Sequence, residues 1–247
     1  MQQIKMSDFF SAAQFITILP WGRAESFDPP RMIPYFPLVG MTLGGVVALF
    51  DYVAVSLWGK TVASLLDVIF LAVLTGAFHI DGLGDAADGL LGQRPKEKIL
   101  AIMKDSRLGT MGLVAIVCGL SIKWAGISGL DTNRTLLLII MPAFARGSML
   151  FGMRCLPYGR AEGGTGADFF KHELKPSDFW GLSVPVLFSF LLGWQAIWLI
   201  ICFAAITAGL IRYYQKRVGC ITGDMLGAMT EVTEAGLFLL ASIGGSV

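Results

Sequence analysis

Apolar runs of about 20 residues recur along this chain, and each is long enough to cross the hydrocarbon core of a bilayer as a helix. The 247 residues are 55% hydrophobic and only 15% charged, which excludes an ordinary soluble domain. The sequence therefore predicts an all-α integral membrane protein that forms a single polytopic domain over residues 1–247.

We expect about seven transmembrane helices, preceded by an interfacial helix in the apolar stretch Phe9 to Leu19. The predicted spans are residues 35–58, 62–81, 109–130, 135–156, 180–193, 194–212 and 224–245. The apolar stretch 180–211 is too long for one ordinary crossing, and Gly193 is the residue best suited to turn the chain. Without a turn there, the number of spans falls to six.

The distribution of Lys and Arg supports seven spans with the N-terminus in the cytoplasm. In this topology 15 basic residues lie on the cytoplasmic side and only Lys60 and Arg134 lie on the other. The acidic motifs, which this rule does not use, also collect on the cytoplasmic side. We therefore expect one active site facing the cytoplasm in an inner-membrane protein. With 19 basic and 18 acidic residues, no broad patch for nucleic acid is indicated.

The segment His79-Ile-Asp-Gly-Leu-Gly-Asp-Ala-Ala-Asp-Gly89 gathers three carboxylates. On a helix, Asp81, Asp85 and Asp88 lie at i, i+4 and i+7 on one face, where they repel one another unless a cation lies between them. Oxygen ligands without a Cys or His cluster favour a hard ion, and Mg²⁺ shared with substrate phosphates is the commonest case. A solvated acidic helix end is the alternative, but the flanking residues are small or apolar.

The last predicted span repeats this arrangement with Asp224, Glu231 and Glu234. A charged group inside a membrane helix costs about 2.5 to 3.5 kcal/mol, so we expect Glu231 and Glu234 to face the bundle and to have partners. Arg146 in the fourth span is the candidate partner. Asp51, Asp67 and Lys123 lie at similar depth towards the other side, and we expect them to form a structural ion-pair cluster.

Two loops supply candidate phosphate-binding groups. Asp105-Ser-Arg107-Leu-Gly-Thr-Met-Gly112 places an acid, an arginine and backbone N–H groups at the start of the third span, where a helix N-terminus favours phosphate. The second loop carries Arg154 and Arg160, followed by the glycine-rich segment Glu162-Gly-Gly-Thr-Gly166. An ordinary solvated connection is the alternative for this second loop.

Together these motifs resemble the cobalamin synthase family, the membrane adenosylcobinamide-GDP ribazoletransferases. The matching stretches are Phe15-Ile-Thr-Ile-Leu-Pro20, His79 to Gly89, Ile102-Met-Lys-Asp-Ser-Arg-Leu-Gly-Thr-Met-Gly112, Gly159-Arg-Ala-Glu-Gly163 and Thr222-Gly-Asp-Met-Leu-Gly-Ala228 with Glu231 and Glu234. The second and third stretches together are highly specific.

The resemblance implies transfer of α-ribazole, or its 5′-phosphate, onto adenosylcobinamide-GDP with Mg²⁺ and with release of GMP. The expected metal ligands are Asp81, Asp85, Asp88, Asp224, Glu231 and Glu234. The expected substrate contacts are Arg107, Arg146, Arg154, Arg160 and Glu162. The expected catalytic residues are Asp81, His79, Asp105 and Arg107, and the general base is left open between a carboxylate and His79. Whether the protein forms a homo-oligomer is also left open.

Two other functions are considered. A CDP-alcohol phosphotransferase also uses membrane helices, carboxylates and Mg²⁺, and Asp85-Ala-Ala-Asp88-Gly89 looks like the start of its signature. However, Gly92-Gln93 stands where Ala-Arg is expected, and no further spaced aspartates follow. A cation-coupled transporter would show an internal repeat and a site at the membrane midplane, and the sequence indicates neither.

Overall fold

The computed structural model describes residues 5–21, 27–105, 107–160 and 166–243, and these form a helical bundle. The helices are α1 (Met6–Ile16), α2 (Pro29–Met32), α3 (Phe36–Trp58), α4 (Lys60–Leu74), α5 (Phe78–Leu90), α6 (Lys96–Ile102), α7 (Thr110–Ser128), α8 (Arg134–Cys155), α9 (Trp180–Ser189), α10 (Gln195–Arg217) and α11 (Gly223–Ala241). The predicted all-α class is confirmed for this part of the chain.

Within the described residues, four helical segments are long and apolar enough to cross a membrane, namely Pro29–Trp58, α7, α8 and α10. The pair α4 and α5 makes a fifth if it counts as one span, although the two axes bend by 91°. The predicted spans 35–58, 109–130 and 135–156 match α3, α7 and α8 within a few residues. The chain is therefore a membrane protein with four or five apolar candidate spans.

The predicted span 62–81 is wrong at its C-terminal end. α4 ends at Leu74, and Gly76 and Ala77 then adopt left-handed backbone conformations with φ of +58° and +56°. α5 starts at Phe78 in a new direction. The three carboxylates of the acidic motif consequently lie on a separate short helix and not at the end of a long span.

The predicted turn at Gly193 is confirmed. α9 continues as a short 3-10 turn over Phe190–Leu192, Gly193 has a φ of +61°, and α10 begins at Gln195. Glycine adopts this conformation without the steric cost that a side chain would add. The apolar stretch 180–211 is thus divided between two helices.

Glycines allow the helices to approach closely. α3 packs extensively on α8, and a Cβ atom on either Gly40 or Gly44 would lie 2.8 Å from an α8 Cα atom. α11 occupies the middle of the bundle and contacts α5, α7, α8 and α10. The predicted N-terminal helix is present as α1, with Ala12 and Ala13 fully buried against neighbouring helices.

The two ends of the bundle differ in chemistry. At one end, the Asn133 side-chain amide donates to Gln195 Oε1 at 3.1 Å and joins the start of α8 to the start of α10. At the other end, Arg217 at the close of α10 donates to the Leu90 carbonyl at 2.9 Å, at the close of α5. The N-termini of α7 and α11 also lie at this second end, which therefore holds Asp88 near the close of α5 and Asp224 at the start of α11.

Candidate active site

The contact between α5 and α11 depends on two glycines. A Cβ atom on Gly82 would lie 2.8 Å from the Asp224 carbonyl oxygen, and one on Gly227 would lie 3.3 Å from the His79 Cα atom. A side chain at position 82 would clash with the α11 backbone, and one at position 227 would fit only if the neighbouring backbone moved by a few tenths of an ångström. The two backbones therefore meet where each helix carries its carboxylates.

Asp81, Asp85 and Asp224 form the acidic cluster. Asp81 is exposed, whereas Asp85 and Asp224 are half-buried. Asp85 interacts electrostatically with both Asp81 and Asp224, and Asp81 also acts on Asp224. The structure thus joins two acids of the first motif to one acid of the last predicted span, close enough for their negative charges to repel one another.

Arg160 is the cation that contacts this cluster. Gly159 N donates to the Ile221 carbonyl and Ile221 N donates to the Pro157 carbonyl, both at 2.9 Å, and these bonds hold the loop after α8 beside the start of α11. Arg160 Nη2 then donates to Asp224 Oδ2 and, at 3.2 Å, to the Met103 carbonyl. A phosphate that arrives here would find a guanidinium already in place.

The start of α11 is defined by Thr222. Its hydroxyl oxygen accepts a hydrogen bond from Met225 N at 3.3 Å, which is an N-terminal cap, and its hydroxyl also lies 3.3 Å from Asp224 Oδ2. The sequence Thr222-Gly223-Asp224 therefore both starts the helix and orients a carboxylate of the acidic cluster. Thr222 is not among the predicted site residues, although a Thr before a helical apolar run is typical of a cap.

Asp88 caps a different helix. Its carboxylate accepts hydrogen bonds from Gly109 N at 2.6 Å and from Gly112 N at 2.9 Å, at the start of α7. This arrangement corrects the prediction of a phosphate site at that helix N-terminus, because an acid of the chain already occupies it. Asp88 thereby fixes the loop that carries Arg107 relative to α5.

Asp105 and Arg107 form an exposed pair in this loop. Arg107 Nε lies 3.0 Å from Asp105 Oδ1, Arg107 Nη2 lies 2.5 Å from Asp105 Oδ2, and 87% of the Arg107 side chain is exposed. The hydrogen bonds from Arg107 lower the pKa of Asp105 to about 2. Asp105 is thus ionised at neutral pH and holds the guanidinium in a fixed orientation.

His79 lies inside the bundle and is only 1% exposed. Its neighbour Phe78 packs edge-on against it with ring centroids 5.4 Å apart, and its main chain contacts Gly227. Among the described residues, neither ring nitrogen has a hydrogen-bond partner. This position on the buried face of α5 disfavours a general-base role and agrees with a packing role.

Lys123, Arg146, Glu231 and Glu234 form a buried charge network. Lys123 Nζ lies 2.7 Å from Glu231 Oε2 and 2.9 Å from Glu234 Oε1, and Arg146 Nη1 contacts Glu234 Oε2. The predicted partnership of Arg146 is confirmed for Glu234, whereas Glu231 pairs with Lys123. Because both glutamates already hold cations of the chain, we do not include Glu231, Glu234 or Arg146 in the proposed metal or substrate site.

The prediction that Asp51 and Asp67 share Lys123 is wrong, because the cation that they share is Arg134. Arg134 Nη2 lies 2.6 Å from Asp51 Oδ1 and 3.0 Å from Asp67 Oδ2, while Lys123 belongs to the charge network. Arg134 at the start of α8 thus joins Asp51 of α3 to Asp67 of α4. The similar depth of these residues in their predicted spans could not show which cation the two acids contact.

The predicted substrate contact Arg154 has its partner outside the acidic cluster. Arg154 Nη1 pairs with Glu173 Oε1 at 3.0 Å, and both side chains are largely exposed. Glu162 lies outside the described residues. Of the predicted arginines, Arg160 is therefore the one that the structure brings onto the acidic cluster.

The acidic cluster fits a magnesium ion in its donor chemistry. Within the described residues, no group of three or more His, Cys, Asp or Glu side chains, the acidic cluster included, is arranged so that it could hold a metal ion by itself. Mg²⁺ does not require such a cage, because it keeps several waters and takes one or two carboxylates together with substrate phosphates. Asp81, Asp85 and Asp224 supply hard oxygen donors on two facing helices, with Asp81 open to solvent.

Gly82→Ala should disrupt this site. The new methyl group would press on the Asp224 carbonyl and cost about 1–3 kcal/mol of stability. Because this would move Asp81 and Asp224 relative to each other, turnover should fall by about 10²-fold. Gly45→Ala on α3 is the matched control, because no atom lies within 4 Å of that position, and it should be neutral or slightly stabilising. Thermal unfolding and turnover measure both effects, and wild-type turnover in Gly82→Ala would contradict the proposed role of this helix contact.

Comparisons with known proteins match nearly the whole chain. A family model described as cobalamin-5-phosphate synthase matches residues 8–242. Three similar proteins carry the name adenosylcobinamide-GDP ribazoletransferase. One from Alkaliphilus metalliredigens is 37% identical over 96% of this chain and 95% of its own length, and one from Geotalea daltonii is 34% identical over 96% and 98%. One from a Roseiflexus species is 34% identical over 90% and 84%. No solved structure matches the chain.

Proposed function

This chain belongs to the cobalamin-5-phosphate synthase family, and we propose that the acidic cluster is where it carries out the adenosylcobinamide-GDP ribazoletransferase reaction named for its relatives. The observation that supports this location is the meeting of Asp81 and Asp85 with Asp224 across the Gly82–Gly227 contact. The family match also sets aside the CDP-alcohol phosphotransferase and the transporter.

The proposed reaction is a displacement at phosphorus. A hydroxyl oxygen of α-ribazole, or of its 5′-phosphate, forms a bond to the phosphorus that carries the corrinoid. The bond from this phosphorus to the bridging oxygen of the diphosphate breaks, and GMP leaves with that oxygen. The hydroxyl proton passes to a carboxylate of the acidic cluster, which is solvent-accessible, and not to His79, which is buried. The products are GMP and adenosylcobalamin or its 5′-phosphate.

Magnesium would be held by Asp81, Asp85 and Asp224, and when bound it would neutralise the negative charge of the diphosphate. Arg160, already at Asp224, would bind a phosphate oxygen, and Arg107 would approach from its exposed position in the loop before α7. Asp105 would keep the Arg107 guanidinium oriented. Asp88 would position this loop through its bonds to the start of α7.

The proposed topology has seven crossings with the acidic cluster facing the cytoplasm of the inner membrane. The excess of Lys and Arg on one side supports this orientation. The placement of α5, Arg160 and the α11 N-terminus at one end of the bundle agrees with it. A water-soluble nucleotide substrate would then reach the site from the compartment in which it is made.

Product analysis tests this function directly. Purified protein in lipid with adenosylcobinamide-GDP, α-ribazole 5′-phosphate and Mg²⁺ should yield GMP and adenosylcobalamin 5′-phosphate in equal amounts by mass spectrometry. EDTA should lower turnover by at least about 10²-fold, and added Mg²⁺ should restore it. Absence of both products from folded protein would overturn the proposal, while turnover unaffected by EDTA would overturn only the metal.

A further inference from the structure

A groove between α8 and α10 carries chemistry that the reaction does not use. It has a volume of about 600 Å³ and is lined by Phe151 and Leu156 on one wall and by Phe203, Ala204 and Ala208 on the other. Both helices are apolar enough to cross a membrane, and the groove runs along the last turns of α8 and the C-terminal half of α10. We call it the α8–α10 groove.

The end of this groove is positively charged. Ala204, Ala208, Arg212 and Lys216 follow one another at intervals of four along α10 and are all exposed, so they form one stripe along the helix. The two alanines leave the groove open, and the two cations close its end. In the part of the chain that the structure describes, neither cation forms a salt bridge or hydrogen bond.

A buried hydroxyl lies deeper in the same groove. Thr207 is 4% exposed, and its Oγ1 atom has no hydrogen-bond partner among the described residues. Thr207 lies five positions before Arg212, which corresponds to a rise of about 7.5 Å along the helix. The groove therefore matches an amphiphile in three places. Arg212 and Lys216 suit an anionic head group, the Thr207 hydroxyl suits a polar linkage, and the apolar walls suit a hydrocarbon chain.

We propose that the α8–α10 groove binds an anionic phospholipid, with its phosphate at Arg212 and Lys216 and one acyl chain between α8 and α10. Basic pockets between membrane helices on the cytoplasmic side are suited to such headgroups. The proposal rests on the membrane assignment and the orientation proposed above, but it does not depend on the reaction. Its failure would therefore leave the ribazoletransferase assignment intact.

Binding of phosphatidylglycerol to the detergent-solubilised full chain, measured by native mass spectrometry, tests the proposal. The double variant Arg212→Ala/Lys216→Ala should weaken binding about 30-fold, which corresponds to about 2 kcal/mol at 1.4 kcal/mol per tenfold. The matched control is Lys96→Ala/Lys98→Ala on α6, which removes two exposed charges outside the groove and should change nothing. Ala208→Trp, which fills the groove while keeping both cations, should also weaken binding.

Four results would overturn the proposal. Equal losses in the control and groove variants would show general surface attraction. Headgroup recognition would be excluded if phosphatidylcholine and phosphatidylglycerol bound with equal affinity and the double variant did not change it. Full competition by inorganic phosphate would show a simple anion site. A change of oligomeric mass in Ala208→Trp without any change in lipid binding would assign the groove to a second copy of the chain.

Discussion

Asp81→Asn is expected to lower turnover by about 10³-fold while leaving the fold intact. Asp81 is the exposed member of the acidic cluster, and it acts electrostatically on both Asp85 and Asp224. Asn is nearly isosteric with Asp but removes one negative charge, so the affinity for a divalent cation should fall with little steric change. A steady-state assay at several Mg²⁺ concentrations should therefore show a raised half-saturating concentration as well as a lower maximal rate.

Glu97→Gln is the matched control for this variant. Glu97 is an exposed carboxylate on α6 at the same end of the bundle, outside the acidic cluster, and its replacement should leave turnover within about twofold of wild type. Undiminished turnover and unchanged Mg²⁺ dependence in Asp81→Asn would remove the metal assignment without affecting the family assignment. A comparable loss in both variants would show that overall charge, and not the cluster, controls the rate.

Glu234→Leu is expected to lower stability by about 3–5 kcal/mol, because it leaves the fully buried Arg146 without its carboxylate and takes one partner from Lys123. For a chain of this size, the loss corresponds to a fall of about 10 °C in the unfolding temperature. Intrinsic tryptophan fluorescence in detergent would record it.

The double variant Arg146→Met/Glu234→Leu separates the charge effect from packing. It removes one cation and one anion together and leaves Lys123 with Glu231 at 2.7 Å, so most of the lost stability should return. Lys171→Met, which breaks the exposed pair with Asp168, is the surface control and should change stability by less than about 1 kcal/mol. A double variant as unstable as Glu234→Leu alone would show that shape, and not charge balance, determines the effect.

Features that depend on neighbouring residues in the chain could be predicted from the sequence. The length and apolarity of α3, α7 and α8, the turn at Gly193 and the shared face of Asp81 and Asp85 all follow from periodicity and local propensity. The partnership of Arg146 with Glu234 could also be predicted, because a charge inside an apolar span requires an opposite charge.

Which groups meet between helices was decided by the tertiary structure. Lys123 pairs with Glu231 and Glu234, Arg134 takes Asp51 and Asp67, and Asp88 caps α7 from a neighbouring helix. Helical periodicity specifies the face on which a residue lies but not which helix packs against that face. The packing partner depends on close contacts, such as that between Gly82 of α5 and the backbone of α11, and on the break in the helix after Leu74. The sequence by itself determined that this is a helical membrane protein with acids on two helices, and only the packing of α5 on α11 brought those acids into one site.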